Sequence, residues 1–302
     1  MKLLIIGDPA GLHSFAAIKK GYLPENIVVW ENDDRHIYAV RQINNRITVI
    51  KELDHLIENY MKHFDVIIGN PPFQDGSNKD KASRLWTRFW AKVLYLAKDD
   101  GVVSLITPTT WCSPSNDFKS KSEGYEGDVR LWDTFNRFTS IADVDNVRAH
   151  FPGVGSTFGR VTVYKSGRDG LSFTGGYSTE LGFLPKSGDV KEIFSMIDKE
   201  ENLKKYFKMD QEHRPGIKVS IPTTRNFSNN LDLIEILTGD QIGTAGSVDP
   251  RNYYYIYTDT MEDAEIVKGI IVNAAELLCV HCRWVGFLNL KMVEYLKYTP
   301  AS

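Results

Sequence analysis

A short stretch in the first quarter of the chain combines residue types that can hold an amino group. Val66–Gly69 is a brief apolar run with β-branched residues, and such a run predicts a buried strand. Four residues follow this strand directly: Asn70, Pro71, Pro72 and Phe73. Two consecutive prolines fix two φ angles and remove two backbone donors, so neither strand nor helix can continue there. The pattern predicts a rigid loop that offers an amide side chain, carbonyl oxygens and one aromatic ring.

Such a loop suits the methylation of an exocyclic amine. The lone pair of that nitrogen is delocalised, and two acceptors that bind its two N–H groups draw the nitrogen toward tetrahedral geometry. The side-chain oxygen of Asn70 and the carbonyl of Pro71 are the candidate acceptors, and Phe73 would stack on the planar substrate. Rigid placement lets these groups favour the transition state over the ground state. The alternative is a proline-rich turn in which Asn70 serves only as a cap.

The stretch Asp65–Phe73 resembles the catalytic motif of the S-adenosylmethionine-dependent amino-group methyltransferases. Within these it is similar to the N6-adenine DNA methyltransferases of the restriction-modification and phage type. The likeness extends in pieces over most of the chain, but only Asn-Pro-Pro-Phe is highly specific. It implies S-adenosyl-L-methionine as the cofactor, Asn70 to Phe73 as the catalytic residues, and an adenine flipped out of double-stranded DNA.

Other functions remain open because the motif names the chemistry better than the substrate. A close relative of it serves protein-glutamine and some RNA methyltransferases, so cytosine N4, an RNA base or a glutamine side chain could be the methylated amine. A non-catalytic DNA-binding relative is the third possibility. The resemblance also allows a partner subunit or a restriction endonuclease as a protein partner.

Length and composition are typical of a soluble globular protein. The chain has 302 residues, 42% of them hydrophobic and 25% charged, with a net charge of −3, so any DNA-binding groove must be locally basic. The sequence shows no membrane span and no signal peptide. The three cysteines, Cys112, Cys279 and Cys282, cannot form a disulfide framework, and this predicts a cytoplasmic protein. No second ligand pair accompanies Cys279 and Cys282, so we predict no metal site.

Alternating strands and helices predict an α/β fold with a Rossmann-like, doubly wound and mostly parallel sheet. A smaller C-terminal α+β domain should follow it. The expected strands are Leu3–Ile6, Ile27–Trp30, Ile47–Ile50, Val66–Gly69 and Val102–Ile106, and the expected helices are Ala16–Gly21, Asp34–Asn44, Leu56–Lys62 and Ala82–Ala97. We place the catalytic, cofactor-binding domain at residues 1–167 and a target-recognition domain at residues 168–302.

The second domain is expected to contain a helix over Val190–Phe207, strands over Ile217–Ile221 and Tyr253–Thr258, and a long helix over Glu262–His281. Lys204, Lys205 and Lys208 are expected to be exposed at the end of the first of these helices, and His213, Arg214, Lys218 and Arg225 flank the strand Ile217–Ile221. Basic residues beside a strand suit groove contacts with DNA, so this strand and its flanks are the candidate for target recognition. A basic surface without function is the alternative.

Three acidic residues fall at the ends of predicted strands: Asp8, Glu31 and Asp54. A carboxylate after the second strand commonly accepts hydrogen bonds from ribose hydroxyls. The resemblance assigns Asp8 to the methionine moiety, Glu31 to the ribose and Asp54 to the adenine amino group. The predicted cofactor-binding set is completed by Ala10, Gly11, Asn32 and Asn70. Alternatively, Asp54 caps a helix and Glu31 is solvated.

The first loop departs from the family pattern. Gly11 stands alone, with Leu12 and His13 where small residues are expected, and the loop is one residue short. The segment that usually covers the methionine end of the cofactor has no counterpart before the first strand. A C-terminal stretch or a partner would then supply that wall, or the cofactor binds weakly. Phe151 or Phe158 is in the place of an aromatic that packs on the flipped base, and a core position is the alternative for both.

Overall fold

A computed structural model describes residues 1–72, 85–112, 130–144, 147–150, 158–175, 195–222, 233–243, 253–281 and 293–300. Two compact units make up the chain. The first comprises residues 1–111 and 117–182, and the second comprises residues 112–116 and 183–302.

The first unit is built on an eight-stranded sheet with the order β3-β2-β1-β4-β5-β7-β6-β8. Its strands are β1 (Leu3–Ile6), β2 (Ile27–Trp30), β3 (Thr48–Ile50), β4 (Phe64–Gly69), β5 (Ala97–Pro108), β6 (Thr139–Asp143), β7 (Phe158–Tyr164) and β8 (Leu171–Phe173). The first five strands run parallel to one another, whereas β7 runs antiparallel between β5 and β6. This order confirms the predicted mostly parallel, Rossmann-like α/β sheet.

Helices alternate with these strands along the chain. They are α1 (Leu12–Lys19), α2 (Asp34–Ile43), α3 (Leu53–Asn59), α4 (Leu85–Leu96) and α5 (Leu131–Asn136). Two begin earlier than predicted, α1 by four residues and α3 by three. The domain boundary expected at residue 167 cuts through this unit, since β8 pairs with β6 in parallel.

The central strands are apolar on both faces, as expected for strands with helices above and below them. All four residues of β1 and all four of β2 are buried. One core cluster joins Leu3 and Ile5 of β1 with Val29 of β2, Ala17 of α1 and Val40 of α2. Burial of β-branched and leucine side chains in this layer contributes roughly 25 cal/mol for each Å² of apolar surface removed from water.

The end of β4 lies unusually close to β1. Gly69 pairs with Ile6, and a Cβ added to Gly69 would lie 2.3 Å from the carbonyl oxygen of Ile6. That carbonyl accepts a hydrogen bond from the backbone N–H of Asn70 at 3.0 Å. On the β1 side, Gly7 has φ +71°, and a Cβ there would lie 3.2 Å from the Asn70 carbonyl oxygen. Two glycines therefore allow the Asn70 loop to begin against the end of β1.

The second half of the sheet is packed by aromatic side chains. Trp111 contacts Phe135 edge-on with ring centroids 4.9 Å apart, and Trp90 contacts the same ring at 4.7 Å. Trp90 and Trp86 are also buried in this core. Asp99–Gly101, between the predicted helix Ala82–Ala97 and the predicted strand Val102–Ile106, lie within β5, where the pairing with β4 shifts register between Phe64 and Val66.

The second unit contains a four-stranded antiparallel sheet of order β11-β10-β12-β9. Its strands are β9 (Lys208–Asp210), β10 (Ile217–Pro222), β11 (Glu235–Leu237) and β12 (Tyr253–Thr258), and its helices are α6 (Leu203–Tyr206) and α7 (Met261–His281). The predicted α+β character is confirmed. In the described part of the helix expected over Val190–Phe207, Ser195 and α6 are helical but residues 196–202 are not, so the expectation of one continuous helix is wrong.

Most of the basic residues that we proposed for groove contacts already have partners within this unit. Lys218 is fully buried and donates to the backbone carbonyls of Arg214 at 3.0 Å and Gly239 at 2.7 Å. Burial lowers the pKa of the Lys218 ammonium. A buried ammonium that serves two carbonyls cannot reach a DNA groove, so this expectation is wrong for Lys218. Arg225 lies outside the described residues.

The described helices include none that combines the length and the apolar character needed to cross a lipid bilayer.

The close contact between β1 and β4 predicts a large effect of Gly69→Ala. The new methyl group would collide with Ile6, so the variant should lose about 3 kcal/mol of unfolding free energy, measured by urea denaturation. Gly269→Ala in α7 is the matched control, because an added Cβ there meets no atom within 4 Å. Equal stability of Gly69→Ala and the wild type would contradict the contact.

Candidate functional site

The ends of the parallel strands bring the predicted site residues to one edge of the first sheet. Asp8, Glu31 and Asn70 follow the carboxyl ends of β1, β2 and β4. Backbone hydrogen bonds align these ends: Gly7 donates to Trp30 at 3.0 Å, and Glu31 donates to Ile50 at 3.1 Å. The order reverses beside β1, from which β2 and β4 lie on opposite sides. Open α/β sheets bind their ligands at such a switch point.

Asn70 carries an unusual buried oxygen. Its side-chain Oδ1 is shielded from solvent and has no hydrogen-bond partner in the part of the chain that the structure describes. A buried polar atom without a partner costs about 1–3 kcal/mol, so its retention points to a role other than stability. The next two residues in the chain are also shielded from solvent: Pro71 is buried and Pro72 is half-buried. Phe73 lies outside the described residues, and its stacking role stays a prediction.

Asp8 holds the start of α1. Its fully buried carboxylate accepts hydrogen bonds from the backbone N–H of His13 at 2.8 Å and of Ser14 at 3.0 Å. The Ser14 hydroxyl donates to the same carboxylate at 2.5 Å. These are the second and third residues of α1, whose amides lack partners within the helix. Asp8 therefore caps α1 from four positions upstream.

Two opposing effects set the acidity of Asp8. Burial raises the pKa of its carboxyl, while the hydrogen bonds from His13 and Ser14 lower it and prevail, so the pKa lies below its ordinary value. The carboxylate is thus held in its charged form by donors of its own chain. Its predicted contact with the methionine moiety stays a prediction, and any such contact would have to share oxygens that α1 already uses.

Glu31 ties the first two loops together. Its Oε1 accepts from the backbone N–H of Asn32 at 2.9 Å and of Asp33 at 3.1 Å, and its Oε2 accepts from the Asp8 N–H at 3.1 Å. His36 Nδ1 lies 3.3 Å from Oε2. The residue is buried and lies between the loops after β1 and β2. A carboxylate accepts about four hydrogen bonds, so little capacity remains for a ribose.

The backbone of the first loop turns back on itself. Ala10 has φ +62° and Gly11 φ +70°, both in the left-handed region. A Cβ on Gly11 would lie 2.9 Å from Ile43 and 3.3 Å from the Ala39 carbonyl oxygen. Gly11 is therefore required for packing against α2, a role that its sequence position did not reveal. Ala10 is exposed and remains available to a ligand.

The two other members of the predicted cofactor set lie on the surface. Asp54 is in the first turn of α3, its side chain is 85% exposed, and its Oδ1 lies 3.3 Å from Lys92 Nζ. No side-chain cap forms at this helix terminus, so the capping alternative for Asp54 is not realised. Asn32 is exposed, and its backbone N–H donates to the Glu31 carboxylate. Their contacts with a cofactor stay predictions.

Trp30 is a residue of this edge that the sequence reading treated only as part of a buried strand. It is the last residue of β2 and pairs with Ile6, and its ring packs edge-on against Phe89 at 5.1 Å. Its indole N–H is buried and has no acceptor among the described residues. A tryptophan N–H usually finds a partner when it is buried, and this expectation was the available signal.

The candidate aromatic residues after β6 are only partly described. Phe158 is buried at the start of β7, as the core alternative requires. Phe151 lies outside the described residues.

Among its described residues, this edge offers hydrogen-bond acceptors. Cys112 belongs to the second compact unit; its thiol is buried, and burial raises its pKa well above the ordinary range. In the described part of the chain, no group of three or more His, Cys, Asp or Glu residues is placed to hold a metal ion. Asn70 Oδ1 has spare accepting capacity, and an acceptor of this kind can bind the N–H of an amine.

Sequence comparison supports the reading of the motif. Residues 16–123, about a third of the chain, match the sequence profile described as the Eco57I restriction-modification methylase. The matched region includes Glu31 and the whole Asn70–Phe73 motif. The resemblance to restriction-modification methylases is thereby confirmed for this part of the chain. No curated protein matches the sequence.

Solved structures show weaker likenesses. The structure of a predicted O-methyltransferase from Agrobacterium tumefaciens shares 17% sequence identity with this chain at a TM-score of 0.34. The alignment covers 57% of this chain and 77% of that one. A type I modification subunit from Vibrio vulnificus is 13% identical with a TM-score of 0.36, over 55% of this chain and 40% of its own. A spermidine synthase bound to the transition-state analogue AdoDATO is 20% identical with a TM-score of 0.35, over 54% of each chain.

The capping role of Asp8 predicts a pH-dependent loss of stability in Asp8→Asn. Because the folded-state pKa lies below the ordinary value of 3.8, the carboxylate stabilises the fold above that value and stops doing so as the pH falls through the folded-state pKa. Urea denaturation at pH 7 should show a loss of about 2 kcal/mol, which shrinks in acid.

The control for this prediction is Asp34→Asn, which removes an 83% exposed carboxylate from the first turn of α2. We expect a much smaller change, because exposed ion pairs contribute little to stability. A loss in Asp8→Asn that is the same at every pH would contradict the charge-based cap.

Proposed function

We propose that this chain, whose residues 16–123 match the restriction-modification methylases, transfers a methyl group from S-adenosyl-L-methionine to the N6 amine of an adenine in double-stranded DNA. The single observation that carries the proposal is the buried Oδ1 of Asn70 at the end of β4, which has no hydrogen-bond partner among the described residues. It supplies a fixed acceptor at the sheet edge where α/β folds bind their ligands.

Asn70 and Pro71 hold the target amine. The Asn70 Oδ1 and the Pro71 carbonyl oxygen each accept one N–H of the amine, and this withdraws the nitrogen lone pair from the purine ring. Because Gly69 and the Asn70 amide are fixed against Ile6, the acceptors need not reorganise during the reaction. Phe73 stacks on the base, and the released proton passes to solvent.

S-adenosyl-L-methionine supplies the electrophilic methyl group when it is bound. The sheet edge fits such a ligand in part: Ala10 is exposed, Glu31 follows the end of β2, and Asn70 Oδ1 has no partner among the described residues. Asp8 acts as a positioning residue, since its carboxylate holds α1 in place. Asn32 and Asp54 complete the binding set at the exposed rim.

The adenine must leave the duplex to reach a loop at the end of a buried strand, so the proposal includes base flipping. Residues 168–302 are proposed to recognise the target sequence, with a partner subunit or a restriction endonuclease as a further partner. Exposed basic residues of the second unit remain the candidates for phosphate contacts, whereas Lys218 is excluded by its burial.

Asn70→Ala should abolish methylation without weakening the fold. Loss of one fixed acceptor typically lowers kcat by about 10²–10³. Because Oδ1 has no partner among the described residues, its removal should leave the unfolding free energy unchanged or raise it. Transfer of a labelled methyl group to unmodified duplex DNA, with mass spectrometry of the nucleosides, measures both the rate and the methylated base.

Asn59→Ala is the matched control, because the same change is made at an exposed position near the end of α3. It should retain full activity. Full activity of Asn70→Ala would refute the catalytic role. Methylcytosine among the products, or methylation of RNA or protein alone, would show that the substrate is one of the other planar amines and not adenine.

The rival function is a DNA-binding relative that no longer takes the cofactor. The donors that already occupy Asp8 and Glu31, and the packing role of Gly11, favour this rival. Calorimetric titration with S-adenosyl-L-methionine separates the two. Our proposal predicts measurable heat that decreases in Glu31→Gln and persists in Asn59→Ala. A titration without heat, together with retained DNA binding, would establish the rival.

A further inference from the structure

A cavity lies at the opposite edge of the first sheet from Asn70. Its volume is about 280 Å³, and it is lined by Lys62, Leu94, Tyr95, Asp99, Phe138, Lys165 and Arg168. Lys62 precedes β4 by two residues, whereas Asn70 follows the end of that strand. Six residues of strand span roughly 20 Å, so this cavity is separate from the candidate methylation site.

Three cations and one carboxylate line the cavity. Asp99 Oδ2 lies 2.9 Å from Lys62 Nζ, and its Oδ1 lies 3.9 Å from Lys165 Nζ. Asp99 is 75% exposed, and ion pairs at such positions are weak and easily exchanged. One carboxylate therefore leaves the cavity lining with two uncompensated positive charges.

Lys165 is the buried cation of this site. It is 7% exposed, and its ammonium donates at 2.8 Å to the backbone carbonyls of Leu94 and Ala97. A protonated ammonium has three donors, so one N–H remains for the cavity. Burial lowers the pKa of Lys165, and an anion bound beside it would offset that penalty.

The two other cations are held in place by the backbone. Lys62 has φ +49°, an uncommon conformation for a lysine, and its amide donates to the Tyr95 carbonyl at 3.1 Å. The Arg168 guanidinium lies 5.3 Å from the Phe138 ring centroid, and NH1 donates to the carbonyls of Lys165 and Gly167. Its other N–H groups have no partner among the described residues. A guanidinium placed in this way can bind two oxygens of one anion.

We propose that this cavity binds the phosphate group of a small phosphomonoester. The charge and the free Arg168 donors suit a dianion with several oxygens. Leu94 and Phe138 provide an apolar wall for the organic part of the ligand. The distance from Asn70 argues against DNA bound at the methylation site as the source of the phosphate. The inference does not depend on the proposed methyltransferase function.

Calorimetric titrations of the full chain with inorganic phosphate and with phenyl phosphate test this proposal in low-salt buffer. Phenyl phosphate carries a ring for the apolar wall and shares no adenosine with the cofactor. We expect both probes to bind, phenyl phosphate more tightly, and Arg168→Ala to weaken both by at least tenfold. Arg168→Lys should give an intermediate loss, because it keeps the charge and removes the paired donors.

Lys98→Ala is the matched control. It removes one positive charge at the same edge from a residue that pairs with Asp65 and does not line the cavity. Binding that survives in Lys98→Ala and fails in Arg168→Ala supports the site. Inorganic phosphate that binds as tightly as phenyl phosphate would assign the binding to the anion alone. No heat at millimolar probe, equal losses in both alanine variants, or Arg168-dependent binding of duplex DNA alone would overturn the proposal.

Discussion

The candidate site depends on one close backbone contact between β1 and β4. Gly69 lets the carbonyl of Ile6 approach where any side chain would collide, and that carbonyl accepts the amide of Asn70. The first residue of the Asn-Pro-Pro loop is thus fixed to the centre of a buried sheet. Rigid placement is what an acceptor needs if it is to favour a transition state, because a mobile acceptor would adapt equally well to the ground state.

A second constraint comes from two buried carboxylates that serve as structural acceptors. Asp8 receives the first amides of α1, and Glu31 receives the amides of its own loop and of Asp8. Charge-assisted bonds to backbone N–H groups hold these loops against each other across the strand order switch. The same bonds reduce the capacity of both residues for a ligand, so the loops after β1 and β2 are stabilised at the expense of their accepting groups. The exposed Ala10 and the Asn70 Oδ1, which has no partner among the described residues, are the parts of the edge that remain available.

Features that depend on neighbouring residues in the chain were predicted correctly, whereas features that depend on distant residues were not. Strands β1, β2 and β12 have the predicted bounds, because their apolar runs are bounded by polar residues or turns. The start of α1 was missed, since Asp8 caps it across an intervening turn. Lys218 was assigned to the surface by residue type, but carbonyls four and 21 residues away hold its ammonium inside the second unit. Such long-range partners leave no local pattern in a sequence.

By itself, the sequence determined the α/β class, the position of the double-proline loop and the kind of chemistry that an Asn-Pro-Pro-Phe loop can support. These features depend on backbone restrictions and periodicity, which act within a few residues. The tertiary structure alone decided that Gly11 packs on α2, that Asp8 and Glu31 accept from backbone donors, and that Asn70 Oδ1 has no such donor in the described ranges. It also gathered Lys62, Lys165 and Arg168 around one cavity. Burial and hydrogen-bond saturation depend on residues distant in sequence, and folding is what brings those residues together.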